Sequence, residues 1–168
     1  MNNKGLALIT GASAGIGLAL AEEFARNGHP LLLVSRSAGK LAELAGHFEQ
    51  RHGVACDWIA ADLQQPEAPQ ELFEAVQQRG LQVDILVNNA GVLWEGPFAE
   101  TALDKHLGLL QVNIAAPTAL THLFLQPMLQ RRRGRVLNIA STSSFNPVPS
   151  LASYAASKAY LLSFSEAL

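Results

Sequence analysis

The sequence predicts an α/β fold in which helices cover both faces of a doubly wound parallel sheet. Short apolar runs alternate with longer helical segments along the 168-residue chain, and three of the runs are almost continuously apolar. Such runs are typical of strands that are buried on both faces, as in parallel sheets. Parallel strands need crossover connections, which the alternating helices provide. We therefore predict a single domain over residues 1–168, without linker or internal repeat.

Five strands and five helices are predicted in strict alternation. The strands are expected at 6–10, 31–35, 54–60, 83–88 and 135–141. The helices are expected at about 15–27, 38–51, 67–79, 103–126 and from about 153 to the last residue. In the first helix, Ile16, Leu20 and Phe24 recur every four residues and are expected to face the sheet. Pro117 lies inside the fourth helical pattern and predicts a kink or break there.

Composition excludes several classes of function. The formal net charge of −2 offers no basic field for nucleic acid, and the run 131–133 of three arginines is interpreted as a solvated turn. Cys56 is the one cysteine, so no internal disulfide forms, and we expect a reducing, cytoplasmic setting. No apolar run is judged long enough for a bilayer, and the strand at Leu6 leaves no room for a signal peptide. The five histidines lack ligand spacing, so no metal is expected.

A glycine-rich turn follows the first strand directly. Gly11, Gly15 and Gly17 lie in TGASAGIG, where the strand passes into the first helix. Backbone without side chains can approach a pyrophosphate closely, and a helix N-terminus offers N–H groups and a positive dipole end. The spacing differs from the commonest dinucleotide fingerprint, and glycines also serve tight turns. Its place between strand and helix nevertheless favours a nucleotide site.

The second strand ends in Ser35 and Arg36 rather than in an acid. An NAD site usually carries an acid there for the ribose 2′-hydroxyl, whereas an arginine suits a 2′-phosphate. The alternative is an ordinary exposed arginine in a loop. We predict NADP in preference to NAD.

Further motifs follow in order: Asp62-Leu63 after the third strand, NNAG (88–91) at the end of the fourth, Asn113 on the long helix, Ser141 at the end of the fifth strand, and Tyr154-x-x-x-Lys158 at the start of the last helix. Together with the glycine loop, this ordered set makes the chain similar to the short-chain dehydrogenase/reductase family. The resemblance covers residues 6–168, and its last part, ASKAYLLSFSEAL, looks most like the NADP-linked ketoreductase branch. It implies a Rossmann-like sheet with strand order 3-2-1-4-5. It also implies a set of cofactor-binding residues: Gly11, Ser13, Gly15, Ile16, Gly17, Arg36, Asp62, Leu63, Asn89, Ala90, Gly91, Tyr154 and Lys158.

Tyr154 and Lys158 are four residues apart and therefore share a helix face, whereas Tyr160 lies about 200° round the helix from Lys158. We interpret Tyr160 as a packing residue. A free phenol is a poor acid at neutral pH, and a nearby ammonium lowers its pKa. Tyr154 is thereby predicted to act as a general acid or base.

The resemblance implies the remaining catalytic roles. Tyr154 would exchange a proton with the substrate oxygen, Lys158 would bind the nicotinamide ribose and tune Tyr154, and Asn113 would hold a water in a proton relay. Ser141 would hydrogen-bond the substrate oxygen, with Ser143 and Ser144 as nearby rivals.

The substrate is expected to be a fairly apolar ketone or its alcohol. Apolar residues follow the fourth and fifth strands, at 92–94 and at Phe145 and Val148, and small-molecule pockets are mostly apolar with a few polar groups. The resemblance further suggests a homodimer or homotetramer.

The last strands of the family fold are not found in the sequence. We expect the chain to be a stretch of a longer protein, in preference to a shortened protein or, last, a sheet completed by a partner chain. A nucleotide-binding module without turnover is the alternative function, and an isomerising relative has less support.

Overall fold

The computed structural model describes residues 4–168. Over that range the chain forms a five-stranded parallel sheet with the order β3-β2-β1-β4-β5, as predicted. The strands are β1 (Leu6–Thr10), β2 (Leu31–Ser35), β3 (Cys56–Ala60), β4 (Val83–Asn88) and β5 (Arg135–Asn138). The α-helices are α1 (Gly15–Arg26), α2 (Ala38–His52), α3 (Ala68–Gln78), α4 (Leu103–Leu110), α5 (Ala116–Arg131) and α6 (Ala152–Ala167).

Strand burial follows strand position in the sheet. The three inner strands β1, β2 and β4 are buried along nearly their whole length, as their continuous apolar sequences predict. Strands β3 and β5 are partly exposed edges of the described sheet. Both are shorter than predicted, because residues 54–55 precede the pairing of β3 and because the chain leaves β5 after Asn138 for a 3-10 turn at Thr142–Ser144.

Two apolar clusters cover the two faces of the sheet. One joins alternate residues of the inner strands to α1 and α2, and the other joins the intervening residues to α3 and α5. Helix α6 packs beside β5 and α4. The parallel strands therefore direct all their carboxyl ends to one edge, where loops and helix N-termini meet.

The predicted inner face of α1 is wrong at one position. Gly17, Ala21 and Ala25 are buried there, whereas Ile16 is 61% exposed and Leu20 is only partly buried. Small residues let the helix backbone lie close to the sheet. The helix face nearest the sheet is therefore formed by glycine and alanine, and not by the large apolar residues whose spacing was used to predict it.

The predicted long helix is interrupted before Pro117. Gln111–Ala115 forms a π-helical turn between α4 and α5, and Pro117 stands in the first turn of α5. A proline has no N–H to donate to the carbonyl four residues earlier, which here belongs to Asn113. The π-turn accommodates that missing hydrogen bond.

The combined helix Leu103–Arg131 is long and apolar enough to cross a bilayer. The prediction that the chain has no apolar run of that length is therefore wrong by length and composition. Half of its most apolar window is buried inside the structure, and the core helix of a soluble protein passes the same test.

Candidate active site

The glycine loop has a backbone that side chains would obstruct. Gly11 and Gly15 have φ angles of 67° and 54°, in the left-handed region that favours glycine. A Cβ on Gly17 would lie 2.8 Å from the Gly11 carbonyl carbon, inside ordinary contact distance. Ala14, the residue before α1, supplies no side-chain cap. The loop therefore presents bare backbone and the uncapped N-terminus of α1 at the carboxyl edge of the sheet.

The loop is held by residues from the end of β4. The Thr10 hydroxyl donates to the Val87 carbonyl at 3.2 Å and accepts from the backbone N–H groups of Asn89 and Ala90, both at 3.0 Å. The Asn89 side chain donates to the carbonyls of Thr10, at 2.9 Å, and Gly11, at 3.3 Å. Hydrogen bonds at both strand ends thus fix the loop against β4 before any ligand binds.

A cavity of about 580 Å³ opens beside this loop, a volume in the range of small-molecule sites. Most of the predicted cofactor residues line it: Gly11, Ser13, Gly15, Arg36, Asp62, Leu63, Asn89, Ala90 and Gly91. Ile16 points to solvent instead, and Gly17 is buried under the loop. Tyr154 and Lys158 also lie outside this lining.

Arg36, the residue directly after β2, lines the cavity. Its side chain is exposed, with Ser35 and Ser37 on either side, and no carboxylate among residues 4–168 forms an ion pair with it. One carboxylate oxygen of Asp62, which also lines the cavity, accepts a hydrogen bond from the backbone N–H of Gln64 at 3.2 Å. The guanidinium is therefore available to an anion.

Lys158 is a buried cation next to Tyr154. Its residue is 5% exposed, its Nζ donates to the Ile139 carbonyl at 2.7 Å, and Nζ lies 5.9 Å from the centre of the Tyr154 ring. Burial lowers the pKa of Lys158 below its ordinary value. A Cβ on Gly91 would lie 3.5 Å from Nζ, so the ammonium reaches the loop that lines the cavity. Two of its protons remain for ligands.

The Asn113 side chain is fully used within the protein. Its Oδ1 accepts from the Val92 N–H at 2.9 Å, and its Nδ2 donates to the Val92 carbonyl and to the Ser157 hydroxyl, both at 3.0 Å. Asn113 therefore ties the segment after β4 to α6. Its main-chain carbonyl lies four residues before Pro117, which has no N–H to donate to it.

The three candidate serines differ in their hydrogen bonds. Ser144 donates its hydroxyl to the Lys158 carbonyl at 2.9 Å and accepts from the Ser141 N–H at 3.3 Å, so its side chain is committed to structure. Ser141 accepts from the Ser143 N–H at 3.1 Å as the cap of the 3-10 turn. Its proton can still be donated, which favours Ser141 over Ser144. Ser143 lines a different cavity, beside Phe145.

Tyr160 points away from Lys158, as its spacing predicts. Its hydroxyl lies 2.9 Å from Thr118 Oγ1, and its ring stacks on Phe164.

Seven further residues line the cavity without having been predicted, namely Ala14, Val34, Ser35, Ser37, Ala61, Gln64 and Val112. Val92 lines it as well, although the sequence predicted it beside the substrate. Most of the seven directly precede or follow a predicted residue in the chain, so their place at a strand end is the signal that could have identified them. Val112 lies in the π-turn.

Residues 5–168 match the family model described as short chain dehydrogenase. The chain belongs to the short-chain dehydrogenase/reductase family. Among its curated relatives, human "Inactive hydroxysteroid dehydrogenase-like protein 1" is 38% identical over 96% of this chain and 49% of its own length. "Very-long-chain 3-oxoacyl-CoA reductase" of Anas platyrhynchos is 37% identical over 96% of this chain and 53% of its own length. The chain spans about half the length of these curated relatives.

Solved structures of family members superpose closely. The bulky-bulky ketone specific alcohol dehydrogenase from Comamonas testosteroni has a TM-score of 0.93 and 35% identity, covering 99% of this chain and 67% of that one. A short-chain dehydrogenase from Sphingobium yanoikuyae in complex with NADPH has a TM-score of 0.92 and 35% identity, with 98% and 64% coverage. Both the sequence match and the structural superposition therefore support the fold and the assignment to this family of oxidoreductases.

Proposed function

We propose that the protein is an NADP(H)-dependent oxidoreductase that interconverts an apolar ketone and its secondary alcohol. One observation carries the proposal: the Nζ of Lys158, a buried ammonium, lies 5.9 Å from the centre of the Tyr154 ring and reaches Gly91, which lines a cavity built on a glycine loop. NADPH-bound family structures support the choice of cofactor.

The described residues fit a dinucleotide. The bare backbone of Gly11 and Gly15 suits a pyrophosphate next to the N-terminus of α1. Arg36 supplies a cation for a 2′-phosphate, and Lys158 has N–H donors left for ribose hydroxyls. The bound nicotinamide would supply the hydride that reduces the carbonyl carbon.

The proton is handled by side chains of α6 and by the turn before it. We assign Tyr154 as the donor of the phenolic proton to the carbonyl oxygen, so that hydride and proton together give the alcohol. The Lys158 ammonium stabilises the phenolate left behind, and the Ser141 hydroxyl donates a hydrogen bond to the same oxygen. A water on the main-chain carbonyl of Asn113 would return a proton towards Tyr154. The reverse oxidation uses Tyr154 as base.

Exposed apolar side chains after β4 and after the Ser141 turn support a large, apolar substrate. Leu93 and Trp94 follow the lining residue Val92, and Phe145 follows the Ser141 turn; all three are 44–72% exposed. Two relatives point the same way, since one is described as specific for bulky-bulky ketones and another as a very-long-chain 3-oxoacyl-CoA reductase. Turnover confined to small charged ketoacids would contradict this assignment.

The test compares Tyr154→Phe with Tyr160→Phe. We expect the purified protein to oxidise NADPH in the presence of large apolar ketones, and Tyr154→Phe to lose that turnover while it still binds NADPH. Tyr160→Phe removes the same hydroxyl from the opposite face of α6 and should leave turnover intact. Equal activity of the two variants would remove Tyr154 from the reaction.

A nucleotide-binding module without turnover is the second candidate, because human and orang-utan relatives carry the word "Inactive" in their names. It also predicts NADPH binding. Absence of turnover with every ketone tested, despite NADPH binding, would favour the module.

The cofactor assignment has its own test in Arg36→Asp. We expect the affinity for NADPH to fall relative to NADH, because the variant replaces a cation near the 2′-phosphate with an anion. Arg132→Asp, an exposed arginine after α5, serves as control and should leave the ratio unchanged. An unchanged ratio in Arg36→Asp would place Arg36 outside the site.

We further propose a homo-oligomer. Leu103 and Leu107 lie one helical turn apart on α4 and are 68% and 56% exposed, and subunits of the family commonly pair through the corresponding helices. Sedimentation of a monomer at micromolar concentration would contradict it.

A further inference from the structure

His106, on α4, connects two segments that border the candidate active site. Its Nδ1 lies 2.9 Å from the Ser153 hydroxyl oxygen, and its Nε2 lies 3.2 Å from the Phe98 carbonyl oxygen. The imidazole also stacks on the Phe98 ring, with ring centres 4.4 Å apart. We call this set of three residues the His106 bridge.

The partners of His106 determine its tautomer. A carbonyl oxygen can only accept, so the hydrogen bond to Phe98 requires the proton on Nε2. The Nδ1 of the neutral ring then accepts from the Ser153 hydroxyl. Each ring nitrogen thus has one defined partner, and the other neutral tautomer would lose the hydrogen bond to Phe98.

The bridge joins the catalytic helix to the apolar segment after β4. Ser153 directly precedes Tyr154 in the first turn of α6. Phe98 lies four residues after Trp94, and the same segment is held a second time by the Gly96 N–H, which donates to the Ser150 carbonyl at 3.0 Å. Trp94 is itself covered by the Lys105 ammonium, 4.8 Å from its ring centre.

We propose that His106 is a positioning residue that, through Ser153, sets the separation between the apolar segment 93–98 and Tyr154, and thereby the size of ketone the site accepts. The size selectivity rests on the proposed function; the separation does not. Displacement of a binding wall by about 1 Å can cost up to about a hundredfold in rate, so a single bridging side chain has a measurable effect.

The position of the segment is measured by the fluorescence of Trp94. Trp58→Phe leaves Trp94 as the one tryptophan, because the chain has two. In that background we expect His106→Ala and Ser153→Ala to increase acrylamide quenching of Trp94, and the double variant to match the single ones. Ser153→Thr keeps the hydroxyl and should restore the original quenching. His122→Ala, an exposed histidine on α5, is the matched control.

Kinetics measure the consequence for selectivity. With saturating NADPH, we expect His106→Ala and Ser153→Ala to lower kcat/KM for a diaryl ketone about tenfold relative to acetone. The NADPH Kd should stay within about twofold, because neither residue lines the cofactor cavity. Ser153→Thr should again restore the wild-type ratio.

The outcomes separate the two proposals. Unchanged Trp94 quenching in both alanine variants, or additive effects in the double variant, would overturn the bridge. Changed quenching with an unchanged ketone ratio in an active protein would overturn its role in selectivity. If the parent protein turned over no ketone, the proposed function would fall, while the quenching results would still decide whether His106 and Ser153 position the segment.

Discussion

Gly17→Ala should destabilise the protein, although alanine is the better helix former. Gly17 is in the first turn of α1, and its new Cβ would lie 2.8 Å from the Gly11 carbonyl carbon and closer still to the Gly11 oxygen and the Asn89 amide. Ordinary contact begins at 3.4 Å, so the glycine loop or α1 must move. Neither neighbour is a flexible chain end, because Asn89 is fixed by its bonds to Thr10 and Gly11.

The size of the effect follows from two opposed contributions. Replacement of a helical glycine by alanine gains about 0.5–1 kcal/mol, and overpacking costs about 1–3 kcal/mol. We expect a net loss of up to about 2.5 kcal/mol in the free energy of unfolding, together with weaker NADPH binding because the phosphate loop is displaced.

Gly46→Ala provides the comparison, because Gly46 is also helical and its Cβ would meet nothing within 4 Å. It should gain about 0.5–1 kcal/mol and leave NADPH binding unchanged. Urea unfolding and NADPH titration of both variants measure these differences. Equal stability and equal NADPH affinity in the two variants would refute the steric argument.

Two further predictions concern buried titratable groups. The folded-state pKa of Lys158 is lowered, so the folded protein binds fewer protons than the unfolded chain between that pKa and about 10.5, and stability should rise with pH through this window. Lys158→Met should lack that rise in urea unfolding at successive alkaline pH values; equal pH dependence in both proteins would contradict it. Burial, with Glu49 and Asp57 nearby, raises the pKa of Cys56 to about 12. A disulfide reagent at pH 8 should therefore label Cys56 only in the unfolded protein, and rapid native labelling would show the thiol to be accessible.

Sequence predicts the sheet well because the signal is local. The inner strands are continuous apolar runs, and their order follows from the alternation with helices and from the family resemblance. The Tyr154–Lys158 pair was likewise predictable, since four-residue spacing alone brings both side chains to one face. The strand ends were less predictable: β5 stops at Asn138, three residues before the Ser141 cap, although the apolar run continues through Ile139 and Ala140.

Other features depend on contacts between distant parts of the chain. The periodicity of Ile16, Leu20 and Phe24 is wrong at Ile16, which is exposed, while the small residues Gly17, Ala21 and Ala25 form the most buried part of α1. The hydrogen bonds of the Asn113 side chain to Val92 and Ser157 have no sequence signal, because those residues lie 21 and 44 positions away. The His106 bridge has no sequence signal, since its partners come from three separate elements.

The π-turn at Gln111–Ala115 places one extra residue in a helix that otherwise runs from α4 into α5. A π-turn closes over one residue more than an α-helical turn, so it absorbs that residue with little change in the rotation of the flanking helices. Deletion of one residue there would give a regular helix that still presents Leu103, His106 and Leu107 in about their present direction. The residues inside the turn, Val112 and Asn113 among them, would change their places relative to the cavity and to Ser157. The extra residue therefore sets the local position of the site residues on this helix, and not the direction of the surface before them.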